Sequence, residues 1–204
     1  MSTPKLTLVG SDDIPVEIDL KAALLSRTLR GYLNVLQSSG PDSATTVSSS
    51  ATEFIDDFDF DTITAPSEPF PVPDATSQIL TAVSQFCSLQ INSPEKFHVR
   101  HASKTRPFTR VNPALIPAWC ENFAKQFKKK EDLDNLVDLI RVANFLDIAP
   151  LLSFSLQLMA DHILYFASND KPQKEMLEFF GLCDPNDPQV IADCQQKGIK
   201  PQKL

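Results

Sequence analysis

The sequence predicts an α+β fold, a small sheet with helices packed on it and a helical extension at the C-terminal side. Three observations carry this. Two short segments near the start alternate apolar and polar residues across a turn. From residue 74 onward, apolar residues recur at three- and four-residue spacing. Only two stretches, about 38–69 and 93–113, break that order.

Lys5-Leu6-Thr7-Leu8-Val9 alternates, Gly10-Ser11-Asp12-Asp13 supplies turn residues, and Ile14-Pro15-Val16-Glu17-Ile18 alternates again, which is a β-hairpin pattern. Pro15 has no ladder donor, so its strand belongs at an edge or carries the proline unpaired. Asp19 suits the N-cap of a short helix through Leu25. Ser26 suits the cap of the next, in which Leu29, Leu33 and Leu36 share a face. Residues 38–69 are rich in Ser, Thr and Asp and read as a long mobile insertion, because they bury too little apolar surface to offset their ordering entropy. The cluster Phe54, Ile55, Phe58 and Phe60 within it either docks on the domain or serves as a linear motif.

Phe70-Pro71-Val72-Pro73 is a short extended segment, and Asp74 is read as the cap of a helix with Ile79, Val83 and Phe86 inward, Leu80 and Cys87 beside them. After the loop 93–113, the helix following Pro117 sets Trp119, Phe123 and Phe127 four residues apart. Leu133, Leu136, Val137, Ile140 and Ala143 then form one stripe. The helix 150–166 is apolar on two adjoining faces, Leu152-Ser155-Leu156-Met159-Ile163 and Leu151-Phe154-Leu158-Tyr165. It needs two covers: one is the core, and the other is either a partner or the C-terminal helices. Pro172 suits the start of a helix bearing Met176, Leu177 and Phe180, with Gly181 as its C-cap. Asp187 and Pro188 suit the N-cap and first position of a last one.

The 204 residues suffice for one domain with its own core, and 42% apolar with 22% charged residues is a soluble composition. No run reaches the roughly 18 apolar residues that span a bilayer, and the opening residues show no signal-peptide pattern. Cys87, Cys120, Cys183 and Cys194 are widely spaced and read as free thiols of a reducing compartment, so cytoplasm and nucleus are the expected locations. A net charge of −7 argues against nucleic acid as a main partner. Charge is unevenly placed: residues 42–74 hold eight acids and no Lys or Arg, whereas Lys96, Arg100, Lys104, Arg106 and Arg110 face Glu95 alone. These read as two solvated loops, although the basic one, with Phe97 and Phe108, has a stacking and phosphate-binding flavour. The five glycines are isolated, and no catalytic or metal-binding motif is present. His98 and His101 lack Cys or acid companions, His162 reads as a packing or partner-facing residue, and Cys120 lacks a base. The chain is therefore read as a non-enzyme with no cofactor and no metal.

Beyond these readings, the order of elements resembles the BTB/POZ fold, and several strings are similar to the Skp family of ubiquitin-ligase adaptors. Pro4-Lys5-Leu6-Thr7-Leu8-Val9-Gly10-Ser11-Asp12 and Val16-Glu17-Ile18-Asp19 look like its first two strands. Phe70-Pro71-Val72-Pro73 with Ile79-Leu80 and Gln85-Phe86-Cys87 looks like its third helix and the approach to it. Leu139 through Ile148, with Leu151-Leu152 after it, is similar to its Leu-Ile-Leu-Ala-Ala-Asn-Tyr-Leu-Asp-Ile string. The chain departs from the family in its terminal residues, in Lys171-Pro172-Gln173-Lys174, and in the basic character of 95–110.

The resemblance implies a non-catalytic adaptor that bridges F-box proteins to a cullin in an SCF-type ligase. It implies a BTB/POZ domain over 1–148 with insertions at about 38–69 and 93–113, and F-box-binding helices over 149–204. Asn144 and Phe145 fall on the cullin-contacting pair. Leu152, Phe154, Leu158, Met176, Phe179, Phe180 and Leu182 are the expected F-box surface, some of them also serving the core. An apolar surface of that kind favours a homodimer when no partner is present. Pro188 aligns with a proline that is hydroxylated and glycosylated in some protist members, the plain alternative being a helix start. A subunit of a non-ubiquitin assembly such as a kinetochore complex, and a BTB homo-oligomeric scaffold, stay open as other readings.

Overall fold

The hairpin forms as its alternation requires. Strands β1 (Lys5–Val9) and β2 (Pro15–Asp19) pair antiparallel, with Leu6 opposite Ile18 and Leu8 opposite Val16. Leu6, Leu8 and Ile18 are fully buried, while Lys5 and Glu17 form a 2.7 Å ion pair on the outer face. The short strand β3 (Phe70–Pro71) runs parallel to β1, giving the order β2-β1-β3 and leaving Pro15 on an edge strand. This is a computed structural model, and it describes residues 4–38, 66, 68–98, 116–129, 132–168, 175–177, 180 and 188. Most of the two polar stretches, with the Phe54–Phe60 cluster, lies outside the described residues.

Helices follow in chain order: α1 (Leu20–Ala23), α2 (Arg27–Ser38), α3 (Ser77–Asn92), α4 (Ala118–Ala124) with a 3-10 turn at Lys125–Phe127, α5 (Leu133–Phe145) and α6 (Ala149–Ser168). This is the α+β class expected from sequence, compatible with a BTB-like fold. α3 is the central element. It packs on β2, α1, α5 and α6, and Ile79, Leu80, Val83, Phe86 and Cys87 are buried, as its periodicity predicts.

The start of α3 differs from the sequence expectation. Thr76 is the N-cap, its hydroxyl accepting the Ile79 N–H, while Asp74 adopts a left-handed turn with φ 58°. A second acceptor comes from the hairpin: Asp12 Oδ2 takes the Ser77 N–H at 2.8 Å. Bonds from the Ser77 hydroxyl and N–H hold the Asp12 carboxyl below its ordinary pKa. Beside it, the Ser11 N–H donates to the Ala75 carbonyl at 2.7 Å. A Cβ on Gly10 would lie 2.0 Å from that carbonyl oxygen, so the close approach requires glycine.

The core continues as an aromatic cluster. Phe86 meets Trp119, Phe123 and Phe154 at centroid distances of 5.3, 5.4 and 5.6 Å, and Phe97 stands edge-on to Phe154 at 5.5 Å. α3, α4 and α6 are thereby joined by rings from each. Phe97 is buried and not available for stacking on a ligand. Both amide atoms of Gln90 bond its backbone at 3.0 Å, and Lys96 donates to the Ile91 carbonyl near the end of α3. The segment after α3 is thus folded back against the helix.

Candidate functional site

α5 lies between α3 and α6, and this position sets its inner face. Leu133, Leu136, Leu139, Val142 and Ala143 are buried, whereas Val137 and Ile140 are half-buried, so the deepest face is turned from the expected stripe toward Leu139 and Val142. The helix ends in a Schellman motif. Ile148 N–H reaches the Ala143 carbonyl at 2.9 Å, and Asp147 N–H reaches the Asn144 carbonyl at 3.1 Å. Asp147 takes the left-handed position with φ 49°, where glycine is usual and aspartate is tolerated. Ala143 and Ile148, the two ends of the motif, are both buried.

α2 begins on this corner. The Ser26 hydroxyl, buried, accepts the Leu29 N–H at 3.0 Å and donates to the Leu146 carbonyl. Arg27 and Thr28 N–H groups point at the Asp147 and Leu146 carbonyls, and the Thr28 hydroxyl donates to the Phe145 carbonyl at 2.9 Å. The positive end of α2 therefore meets the negative end of α5. Arg27 and Asp147 add a half-exposed ion pair at 3.5 Å, a small contribution at such a site.

Within Ala143-Asn144-Phe145-Leu146-Asp147-Ile148, every position but two has a structural task. Ala143, Leu146 and Ile148 are buried, and Asp147 makes the turn. Asn144 and Phe145 are exposed, the phenylalanine to 42%. A large aromatic side chain left that open, on a corner fixed by so many bonds, is suited to anchoring a partner.

The second expected surface divides. Phe154 is 4% exposed and belongs to the aromatic core together with Leu151, so the first turns of α6 complete the core built by the preceding elements. Leu152 and Leu158 are half-buried and pack against that core, and Met176 and Phe180 are half-buried. Phe179 and Leu182 lie outside the described residues. Residues 175–177 are helical, the Phe180 N–H bonds the Met176 carbonyl at 3.0 Å, and Leu177 is buried. Pro188 is helical and exposed.

Toward its far end α6 opens outward, with Ile163, Leu164 and Tyr165 46%, 45% and 55% exposed. The periodicity placed Ile163 and Tyr165 on apolar faces, but only the three-dimensional path of α6 beyond its core-packed turns distinguishes them from residues such as Phe154. His162 Nε2 lies 3.0 Å from the Phe127 carbonyl, which joins α6 to the turn after α4 and gives this histidine a packing role.

Burial pushes the thiols of Cys87 and Cys120 up to about 12, so both stay protonated and poorly nucleophilic near neutral pH. Among the described residues no group of three His, Cys, Asp or Glu side chains could hold a metal ion, and no helix is long and apolar enough to cross a membrane. A concavity of about 480 Å³ between α3 and α4 is lined by Gln85, Ser88, Leu89, Asn92, Trp119, Asn122, Phe123 and Gln126, all uncharged at neutral pH.

No family model matches the chain. Among curated proteins it is similar to SKP1-like protein 18 of Arabidopsis thaliana, 25% identical over 115 residues. That similarity covers 56% of this chain and 61% of the relative, so the chain spans about three fifths of the length of the protein it matches. It points to a distant Skp1-like relationship.

Proposed function

We propose that this chain is a non-catalytic adaptor that bridges F-box proteins to a cullin in an SCF-type ubiquitin ligase. The observation that carries the reading is the α5–α6 corner. Within Ala143–Ile148, the end of its Skp-like string, Asn144 and Phe145 are the exposed residues, and the others serve the cap and the core. In this reading residues 1–148 form the cullin-facing BTB unit, with Asn144 and Phe145 as the contact. Residues 149–204 supply the F-box surface, in which the exposed end of α6 and the half-buried Leu152, Leu158, Met176 and Phe180 take part.

The distant relationship to a Skp1-like protein supports the adaptor class. Cytoplasm and nucleus are the corresponding locations. Affinity capture of the full chain from its native cell tests the reading. A cullin together with several F-box proteins is the expected result. Recovery of neither, or of a second copy of the chain alone, would show that it has another role.

A further inference from the structure

The concavity between α3 and α4 combines carboxamide walls with an aromatic floor. Gln85 and Asn92 stand on the α3 side, Asn122 and Gln126 on the α4 side, and all four are exposed. Trp119, Phe123 and Leu89 supply the apolar part. Its volume of about 480 Å³ lies within the roughly 300–1,000 Å³ of ligand-binding clefts. A carboxamide offers donors and an acceptor in one plane, which is what the N–H and C=O of a peptide require. Side chains four residues apart, such as Asn122 and Gln126, are offset by about 6 Å along a helix axis. That step is close to the roughly 6.6–6.8 Å repeat of like-facing groups in an extended chain.

The charge around this cleft is uneven. Lys125 Nζ donates to Asn122 Oδ1 at 2.9 Å, which sets an ammonium group against a lining side chain. Lys128 and Lys129 follow just past Gln126, both exposed, on a chain whose net charge is −7. Glu121, the acid of α4, lies about 150° around the axis from the cleft face. At the opposite end the Trp119 indole N–H is tied to the Glu95 carbonyl at 3.0 Å. The lysine-bearing turn is itself anchored. Phe127 is buried with its ring 5.6 Å from Phe123, and its carbonyl lies 3.0 Å from His162 Nε2 of α6. Cations on a fixed backbone meet an anionic ligand with little ordering cost in the main chain.

We propose that the α3–α4 cleft is a recognition site for a short, extended, acidic peptide segment of a partner protein. One apolar side chain of the segment sits on Trp119, Phe123 and Leu89. Its backbone bonds the carboxamides on the two walls, and its Asp or Glu residues lie at the Gln126 end beside Lys125, Lys128 and Lys129. The uncharged lining sets the shape of what binds, and the lysines select its charge. This site does not depend on the adaptor reading, and it lies on elements other than the α5–α6 corner.

The test screens a positional-scanning library of acetylated hexapeptide amides against the full chain. The wild-type chain should select an aromatic or aliphatic residue near the centre with Asp or Glu beside it, and the selected peptide, remade singly, should bind more weakly as salt rises. Lys125→Ala/Lys128→Ala/Lys129→Ala should weaken that peptide about five- to tenfold, three exposed charge pairs being lost. Ser88→Phe, which fills the cleft, should weaken it further; if that variant does not fold, the lysine variant decides alone. Selection of no sequence, or of basic peptides, refutes the inference. So does a selected peptide that binds the lysine variant as well as the wild type. Selection that emerges only with Phe58→Ser/Phe60→Ser would assign the cleft to the chain's own Phe58-Asp59-Phe60-Asp61 and overturn the partner assignment. If the lysine variant keeps the peptide but loses cullin or F-box capture, the face belongs to the adaptor assembly; this inference then falls and the adaptor reading stands.

Discussion

Alanine at position 26 removes one hydroxyl that serves two helices. Ser26 is buried, and its Oγ accepts the Leu29 N–H at 3.0 Å while donating to the Leu146 carbonyl. Loss of the first bond uncaps α2, which typically costs about 1 kcal/mol. Loss of the second leaves the Leu146 carbonyl with a weak 3.4 Å bond from the Thr28 N–H. A buried acceptor stripped of its better partner adds about 1–2 kcal/mol. Together the change should cost about 2–3 kcal/mol, a large fraction of the roughly 5–15 kcal/mol typical of a folded domain. Thr28→Ala is the control, because it removes a similar 2.9 Å bond to the same corner at an exposed site and should cost at most about 1 kcal/mol. Urea denaturation of the full chain, with unchanged slope, measures both. A Ser26→Ala value within about 0.5 kcal/mol of wild type would mean that the corner is not held through this hydroxyl, and the argument for a rigid Phe145 platform would fail with it.

Asn144→Ala/Phe145→Ala should weaken cullin binding more than about tenfold with F-box binding and circular dichroism unchanged; an unfolded double variant would place Phe145 in the core. Phe154→Ala should lower stability by about 3–5 kcal/mol through a cavity in the aromatic cluster, so a variant of normal stability that loses only F-box binding would refute its core assignment. The Asp12 carboxyl has a lowered pKa in the fold, so its contribution is complete above the unfolded value of about 3.9 and fades as pH falls through the lower folded value. The stability gap between wild type and Asp12→Asn should therefore narrow between about pH 5 and pH 2; a gap independent of pH in that window would show that the ionised carboxylate is not what caps α3. If Pro188 is a modification site, intact-mass analysis of protein from its native source shows added mass on the peptide Asp184–Lys197; an unmodified peptide at full occupancy ends that reading.

What the sequence made legible was local. Pro15 marks an edge strand because a missing donor is a property of one residue, and Ser26 caps α2 because the cap is made three residues away. The periodicity of α3 predicts its buried face because that helix is enclosed along its length. The start of α3 was harder to place, since Asp74, Thr76 and Ser77 can each serve a helix N-terminus. The choice depends on Asp12, which arrives from 65 residues earlier. Leu36 shares a face with Leu29 and Leu33 by periodicity yet stays 45% exposed near the helix end. Phe97 reads as a loop aromatic in a basic stretch and is instead pinned under Gln90, a contact that composition cannot reveal.

The same distinction governs how much weight the Skp-like string can bear. A run of six residues that resembles a family can be retained for the fold alone, and most of this run is accounted for in that way. Ala143 and Ile148 close the cap, Leu146 fills the core, and Asp147 takes a left-handed turn with Arg27 beside its carboxylate. Those four positions argue for shared architecture and carry no information about partners. Asn144 and Phe145 take no part in the buried core, yet the cap and α2 fix their backbone between two helix ends. A rigid backbone carrying an exposed aromatic lowers the ordering cost of an interface anchor. The cap that accounts for most of the resemblance is therefore also the device that prepares the two residues it does not account for.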